Sequence, residues 1–292
     1  MNAEGNAQDI VKTDSMAWIV WKRFVKRKVA LLGLGIFAAA VFCAVFADWI
    51  APFGPNEMLP GAQLLPPSLD HLMGTDMLGR DLFSRIVHGS RISIYVGVVS
   101  MLIATAVGVP LGLISGYFGR WIDQIIMRVM DVMLAFPVFL LAIMIMVVLG
   151  ASATNVCTAL GIVYIPRYAR IVRGSVLSIR ENEYIEAVRA LGIKRWRIFL
   201  LHILPNCLAP VLVVVSLSIG VAIIAEASLS FLGMGTQPPT PSWGSDLRDA
   251  ISLMELNPWL AIFPGLAILL TVLGINMLGD GLRDATDPRL KQ

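Results

Sequence analysis

Apolar residues in this chain run in long uncharged blocks separated by charged segments. Lys28 to Asp48 encloses 19 residues, Arg91 to Arg120 encloses 28, and Asp131 to Arg167 encloses 35. Arg197 to Glu226 encloses 28, and Glu255 to Asp280 encloses 24. A helix needs about 20 mostly apolar residues to cross a hydrocarbon core of ~30 Å. The 35-residue block is too long for one ordinary crossing. It carries the turn signal Gly150-Ala151-Ser152-Ala153-Thr154-Asn155 near its middle, so it divides into two helices. The pattern predicts an all-α, polytopic integral membrane protein with six transmembrane helices. The first block is longer than a signal-peptide core and lacks a good small-residue cleavage site before Ala51-Pro52-Phe53-Gly54, so it is expected to be retained.

Composition agrees: 57% of residues are hydrophobic and 15% charged, against roughly a quarter charged in soluble domains. The placement of the charges says more than their sum. Lys and Arg favour the cytoplasmic side of short loops. One side receives Lys12, Lys22, Arg23, Lys26, Arg27, Lys28, Arg120, Arg128, Arg167, Arg170, Arg173, Arg180, Arg189, Lys194, Arg195, Arg197, Arg283, Arg289 and Lys291. The other receives Arg80, Arg85, Arg91 and Arg248. Nineteen against four predicts cytoplasmic termini, with external segments near 51–91, Gly150 and 233–257. Trp18, Trp21 and Val25 share a helical face opposite most of the neighbouring cations. That pattern suits a helix on the inner leaflet, and equally an ordinary basic flank. Residues 82–94 read as an amphipathic helix leading into the second span.

No G-x-x-x-x-G-K-[ST], H-E-x-x-H or G-x-S-x-G sequence occurs. His71, His88 and His202 are far apart, and Cys43, Cys157 and Cys207 sit in or beside apolar runs as small buried residues. No catalytic residue, metal site or cofactor is predicted, and a net charge of +3 makes no case for nucleic acid as a partner.

The most informative stretch is residues 183–206, EYIEAVRALGIKRWRIFLLHILPN. Glu183 and Glu186 stand near the start of a helix, where its dipole favours anions. Gly192 suits a helix stop or a positive-φ turn. A basic helical stretch follows, and Pro205 punctuates the approach to the fifth span. The prediction is a helix–turn–helix hairpin beneath the membrane, with small Ala187 and Ala190 open to close approach by a partner.

Glu186-Ala187, Gly192 and Leu204-Pro205 resemble the EAA loop of ABC importer permeases. Val188 replaces the usual second Ala, and His202 stands where Ile is usual. Further segments resemble dipeptide, oligopeptide and nickel permeases. They are Gly74-Thr75-Asp76, Gly79-Arg80-Asp81, Ser84-Arg85, Gly89-Ser90-Arg91, Phe231-Leu232-Gly233-Met234-Gly235, Pro238-Pro239-Thr240-Pro241-Ser242-Trp243-Gly244, Gly279-Asp280-Gly281-Leu282-Arg283-Asp284 and Asp287-Pro288. The likeness is nearest to the C-type subunit of dipeptide permeases. It implies a type I ABC importer transmembrane fold in a bacterial cytoplasmic (inner) membrane, and no chemistry in this chain. It also implies a sister permease in a heterodimer, two cytoplasmic ATPase subunits that bind ATP and Mg, and an extracytoplasmic substrate-binding protein. The organisation would be a cytoplasmic tail and interfacial helix (1–28), a first span (29–50), an external loop (51–91), a five-span core (92–280) with the coupling loop at 176–206, and a cytoplasmic tail (281–292). Dipeptides, oligopeptides, glutathione and nickel chelates remain open as cargo.

Carboxylates inside a span are costly. Asp131 lies one turn after Arg128 and suits an ion pair with it at the cytoplasmic side. Glu226 is deeper, and with Ser228 it either lines the translocation path or gate or holds a neighbouring span. An ion-coupled secondary transporter, the rival from another class, would need broken helices or paired intramembrane charges in matched halves, which the sequence does not display.

Overall fold

The computed structural model describes residues 16–286. Lys12, Asp287-Pro288, Arg289 and Lys291 lie outside them. The regular structure of the described chain is helical, with a single isolated β-bridge between Thr75 and Asp81. It opens with α1 (Met16–Val25), α2 (Lys28–Val45) and the short α3 (Ala47–Ile50). A loop leads to α4 (Leu82–Phe118), followed by α5 (Arg120–Leu134), α6 (Val138–Leu149) and α7 (Ala153–Arg180). Next come α8 (Glu183–Ala190), α9 (Arg195–Ile198), a π-wound turn (Phe199–Ile203) and α10 (Leu204–Phe231). The chain closes with α11 (Trp243–Ala250) and α12 (Trp259–Thr286).

Four helices, α2, α4, α10 and α12, are long and apolar enough to cross a membrane. The pair α5–α6 makes a fifth only as a broken unit, bent by 89°. The 28-residue α7 has the length, but Arg167, Arg170, Arg173 and Arg180 make its second half polar. Each of the six predicted crossings therefore has a helix, though two depart from a plain apolar rod. The third is not a straight span. Proline disfavours helical backbone in the residue before it, and Pro137 stands at the break. The 12-residue α6 is only about 18 Å long at the helical rise. The amphipathic α5 turns away from it and leaves Trp121, Ile125, Val129 and Val132 exposed. Nor do residues 82–94 form a separate element: they are the first turns of the single 37-residue α4.

Close helix approach comes from small residues. Gly108, Gly112 and Gly116 form a stripe on α4 against α7. A methyl group on Gly108 would stand 2.7 Å from the Ile165 carbonyl oxygen, one on Gly112 would strike the Ala169 carbonyl, and one on Gly116 would stand 2.8 Å from Val176 Cβ. The contacts advance together along both helices, so α4 and α7 run parallel. In lipid, where apolar surface gains nothing by leaving one oily medium for another, such close packing supplies much of the association energy. The peripheral α2 leans on α12, with Gly33 beside Gly274 and Met277.

The bundle has two unlike ends. At one, Phe24 of α1 and Ala30 at the start of α2 pack with Ala285 at the end of α12, and Arg27 pairs with Asp284 at 3.0 Å. The packing of α12 antiparallel to both α2 and α10 puts this corner at the same end as α8 and α9. At the other end lie the 51–81 loop and α11. There Asp81 caps α4, accepting Ser84 N–H at 2.8 Å, and takes His71 Nδ1 at 3.0 Å. All four arginines of that end have aspartate partners: Arg80 with Asp76, Arg85 with Asp246, Arg91 with Asp48, and Arg248 with Asp249. Burial pushes the Asp246 carboxyl up, against the pull of the Arg85 guanidinium beside it. The Trp243 indole N–H donates to the Ile86 carbonyl at 3.0 Å, tying α11 to α4.

Candidate functional site

The predicted hairpin is present and stands at the basic end. Glu183 and Glu186 occupy the first turn of α8, as the dipole argument requires. After Ala190 the chain reverses through Gly192, whose φ of +74° lies in the left-handed region. Nothing crowds that position, so the glycine is required by backbone conformation and not by space. The Gly192 N–H donates to the Arg189 carbonyl at 2.9 Å and closes the turn. The return limb starts at Arg195, and the turn before Leu204-Pro205 is wound as a π-helix. Pro205 has no amide hydrogen to offer the ladder, and the winding loosens just ahead of it.

The hairpin is fixed from within. Ile185 is fully buried among Val172, Val176, Ile198, Ile203 and Cys207. Tyr184 meets the His202 ring edge-on at 6.4 Å, and Asn206 Nδ2 donates to the His202 carbonyl at 2.6 Å. The two residues that depart from the usual pattern are both half-buried: Val188 packs on the Ile185 cluster, and His202 meets the Tyr184 ring. The outward face keeps the expected set. Glu183, Glu186, Ala187, Ala190, Gly192 and Pro205 are exposed, and Leu204 is half-buried. At the tip, Leu191 is 78% exposed and Trp196 55% exposed. A rigid charged helix ending in a bare apolar tip is a surface shaped for a protein partner.

The other candidates fare differently. Asp131 does not take Arg128: its carboxylate accepts from Arg170 Nη2 on α7 at 2.6 Å. The bend between α5 and α6 brings α5 across the basic half of α7, where Arg173 also reaches Asp123 at 2.6 Å. Glu226 is fully buried between α10 and α4. The Ser93 hydroxyl donates to Glu226 Oε2 at 3.0 Å, and the Ser230 hydroxyl donates to Oε1 at 2.8 Å. Ser228 faces the other way and lines an apolar cavity of about 510 Å³ with Phe139, Phe231 and Ile268. Glu226 and Ser228 therefore do not form one site. Cys157 and Cys207 are buried, Cys43 is half-buried, and all three are free thiols.

Sequence reasoning missed the Arg85–Asp246 pair, whose members lie 161 residues apart. It also missed the Ser93 partner of Glu226, which is 133 residues away. No local pattern marks such pairs. The Gly108-x₃-Gly112-x₃-Gly116 spacing is a local signal of close helix packing.

Comparison with known proteins agrees with this geometry. Residues 108–292 match the family described as binding-protein-dependent transport system inner membrane component. Residues 15–67 match the N-terminal transmembrane domain of oligopeptide transport permease C. The chain is 47% identical to the dipeptide transport system permease protein DppC of Alkalihalophilus pseudofirmus, covering 93% of this chain and 89% of that protein. It is 46% identical to the glutathione transport system permease protein GsiD of Pectobacterium atrosepticum, covering 93% and 90%. It is 44% identical to the di/tripeptide transport system permease protein DppC of Pseudomonas aeruginosa, covering 93% and 91%. Among solved structures, an inward-facing form of the MetNI methionine ABC transporter aligns with a TM-score of 0.58 at 18% identity, over 70% of this chain and 98% of that one. That likeness speaks to the fold.

Proposed function

Since the chain belongs to the family of binding-protein-dependent transport system inner membrane components, we propose that it is the permease subunit of an ATP-driven importer of dipeptides and other short peptides. The family makes it a membrane permease that works with an ATPase and a binding protein. The finer assembly, a heterodimer with a sister permease above two ATPase subunits, is our reading. So are the cytoplasmic placement of the termini and the external docking of the binding protein. The observation that carries it is the hairpin: a helix anchored by Ile185, turned by Gly192 and exposing Glu183, Glu186, Ala187 and Ala190.

Mechanically, the hairpin is suited to passing force. Its return limb runs through the π-wound turn directly into α10, and α10 packs on α4, α7 and α12. Movement of α8 by an ATPase would therefore turn α10 and open or close the bundle. This chain would contribute a rigid lever and half of the path. ATP and Mg would be held by the partner subunits, and hydrolysis would occur there. Relatives named for dipeptides, di/tripeptides and glutathione define the expected cargo, small peptides with an amino group and carboxylates.

The test is purification of the tagged chain from its own membrane and reconstitution with its binding protein. The reading expects co-purifying ATPase subunits and ATP-dependent uptake of a labelled dipeptide, with glutathione as the competitor that ranks the two cargoes. A chain that purifies without an ATPase and moves peptide down an ion gradient would place it in the other class.

A further inference from the structure

A cavity of about 1060 Å³ opens beside the hairpin, where the end of α4, the start of α5, α7 and α8 converge. Arg120, Arg180 and Arg189 line it together with Tyr117, Trp196 and Phe199, and no carboxylate is among its described lining residues. The three guanidinium groups are not equivalent. Arg180 is spent on the fold: its Nη1 donates to the Gly116 and Tyr117 carbonyls at 2.7 and 3.0 Å, capping the end of α4. Arg120 and Arg189 are exposed and make no ion pair within the described chain. Arg120 also holds a φ of +50°, a left-handed conformation that a non-glycine residue adopts at a cost. Charge and aromatic rings meet in one cavity. The neighbouring α5 is amphipathic, stands at nearly a right angle to α6 and leaves Trp121 and Ile125 bare, as a helix lying at a bilayer interface does. Exposed Phe118 and Ile114 continue the apolar wall along α4 toward the bundle.

We propose that this cavity binds the phosphate headgroup of an anionic phospholipid of the inner leaflet, with Arg120 and Arg189 as the phosphate ligands and the α4 wall receiving the acyl chains. Basic pockets between helices on the cytoplasmic side suit such headgroups, and arginine pairs phosphate oxygens with two parallel donors. A lipid seated here touches Arg189 of α8 and Arg120 of α5 at once, so it would brace the hairpin against the membrane. The assignment of leaflet rests on the orientation proposed above. Lipid retention is read without regard to leaflet, so a failure of binding is separate from a failure of orientation.

The experiment is native mass spectrometry of the whole transporter after extraction from nanodiscs of mixed phosphatidylcholine and phosphatidylglycerol. Wild type should retain phosphatidylglycerol in preference to phosphatidylcholine. The double variant R120Q/R189Q should lose about twenty-fivefold in that preference, two charges at about fivefold each. R128Q, which removes an exposed cation outside the cavity, should not change it. R120K/R189K should recover part of the preference, and the single variants serve if the double glutamine variant assembles poorly. Millimolar inorganic phosphate should not displace the lipid, because it lacks the chains. Retention equal in wild type and the glutamine variants, absence of headgroup preference, or displacement by inorganic phosphate alone would overturn the proposal.

Discussion

Gly192 and Glu226 show how much a single residue carries in this protein, one through its backbone and the other through its burial. The φ of +74° at Gly192 is open to glycine and, at modest cost, to asparagine. A valine there is strained by roughly 1–2 kcal/mol or more, enough to shift the hairpin away from its present shape. Gly192→Val should weaken ATPase retention or uncouple hydrolysis from uptake while insertion stays normal, and Gly192→Asn should remain close to wild type. Pull-down of the ATPase subunits with paired hydrolysis and uptake rates reads both; a valine variant with normal coupling would dismiss the turn as the reason for the glycine. Glu226 is a buried acceptor for Ser93 and Ser230. Removing it takes away the acceptor of both hydroxyl hydrogens, although the Ser230 oxygen still accepts the Thr236 N–H, and an unsatisfied buried donor costs about 1–3 kcal/mol. Glu226→Ala should lower the melting temperature and yield of the complex, whereas Glu226→Gln keeps an acceptor and should remain near wild type in yield. Equal melting of both variants with wild type would show that the hydrogen bonds contribute nothing.

At the scale of elements, the parallel contact of α4 with α7 rests on glycines placed where any side chain would strike the facing helix. Gly112 is the tightest, facing the Ala169 carbonyl. Gly112→Leu should separate the two helices and reduce folded yield severely. Gly174→Ala, on the same α7 but open to space, should be tolerated. Size-exclusion profiles of the two variants in detergent decide it, and a monodisperse, full-yield leucine variant would contradict the packing account. The elements also mark what a sequence can and cannot reveal. Uncharged blocks disclosed the spans because lipid exposure demands them. Glu183, Glu186 and Gly192 disclosed the hairpin because helix ends and turns have local chemistry. The 89° break between α5 and α6 was harder, since Pro137 signals a boundary but not an angle. Asp131 was matched to the nearest cation in sequence, Arg128, and the bend instead gave it Arg170 on another helix. Partners chosen by tertiary approach, such as Asp246 for Arg85, leave no mark within either segment.

The whole molecule is polarised, and the polarity can be tested. At the end bearing the 51–81 loop and α11, all four arginines are matched by aspartates, which lowers the net positive charge that end presents. At the hairpin end Arg120, Arg128 and Arg189 make no ion pair within the described chain, leaving an excess of cation. That excess, with the positive-inside tendency, is the ground on which we propose a cytoplasmic hairpin. On a cysteine-free background, a cysteine at position 239 should react with a membrane-impermeant maleimide from outside, and one at position 190 only after the membrane is opened. The reverse pattern would invert the topology.

The central claim is that the exposed face of α8 is where the ATPase pushes. A photo-crosslinking residue in place of Ala187, in the assembled transporter, addresses it most directly. The account predicts an adduct with an ATPase subunit, changed in yield when ATP is trapped against hydrolysis, and no such adduct from a probe at position 239. An Ala187 probe that captures only lipid, or only the sister permease, in every nucleotide state would contradict it.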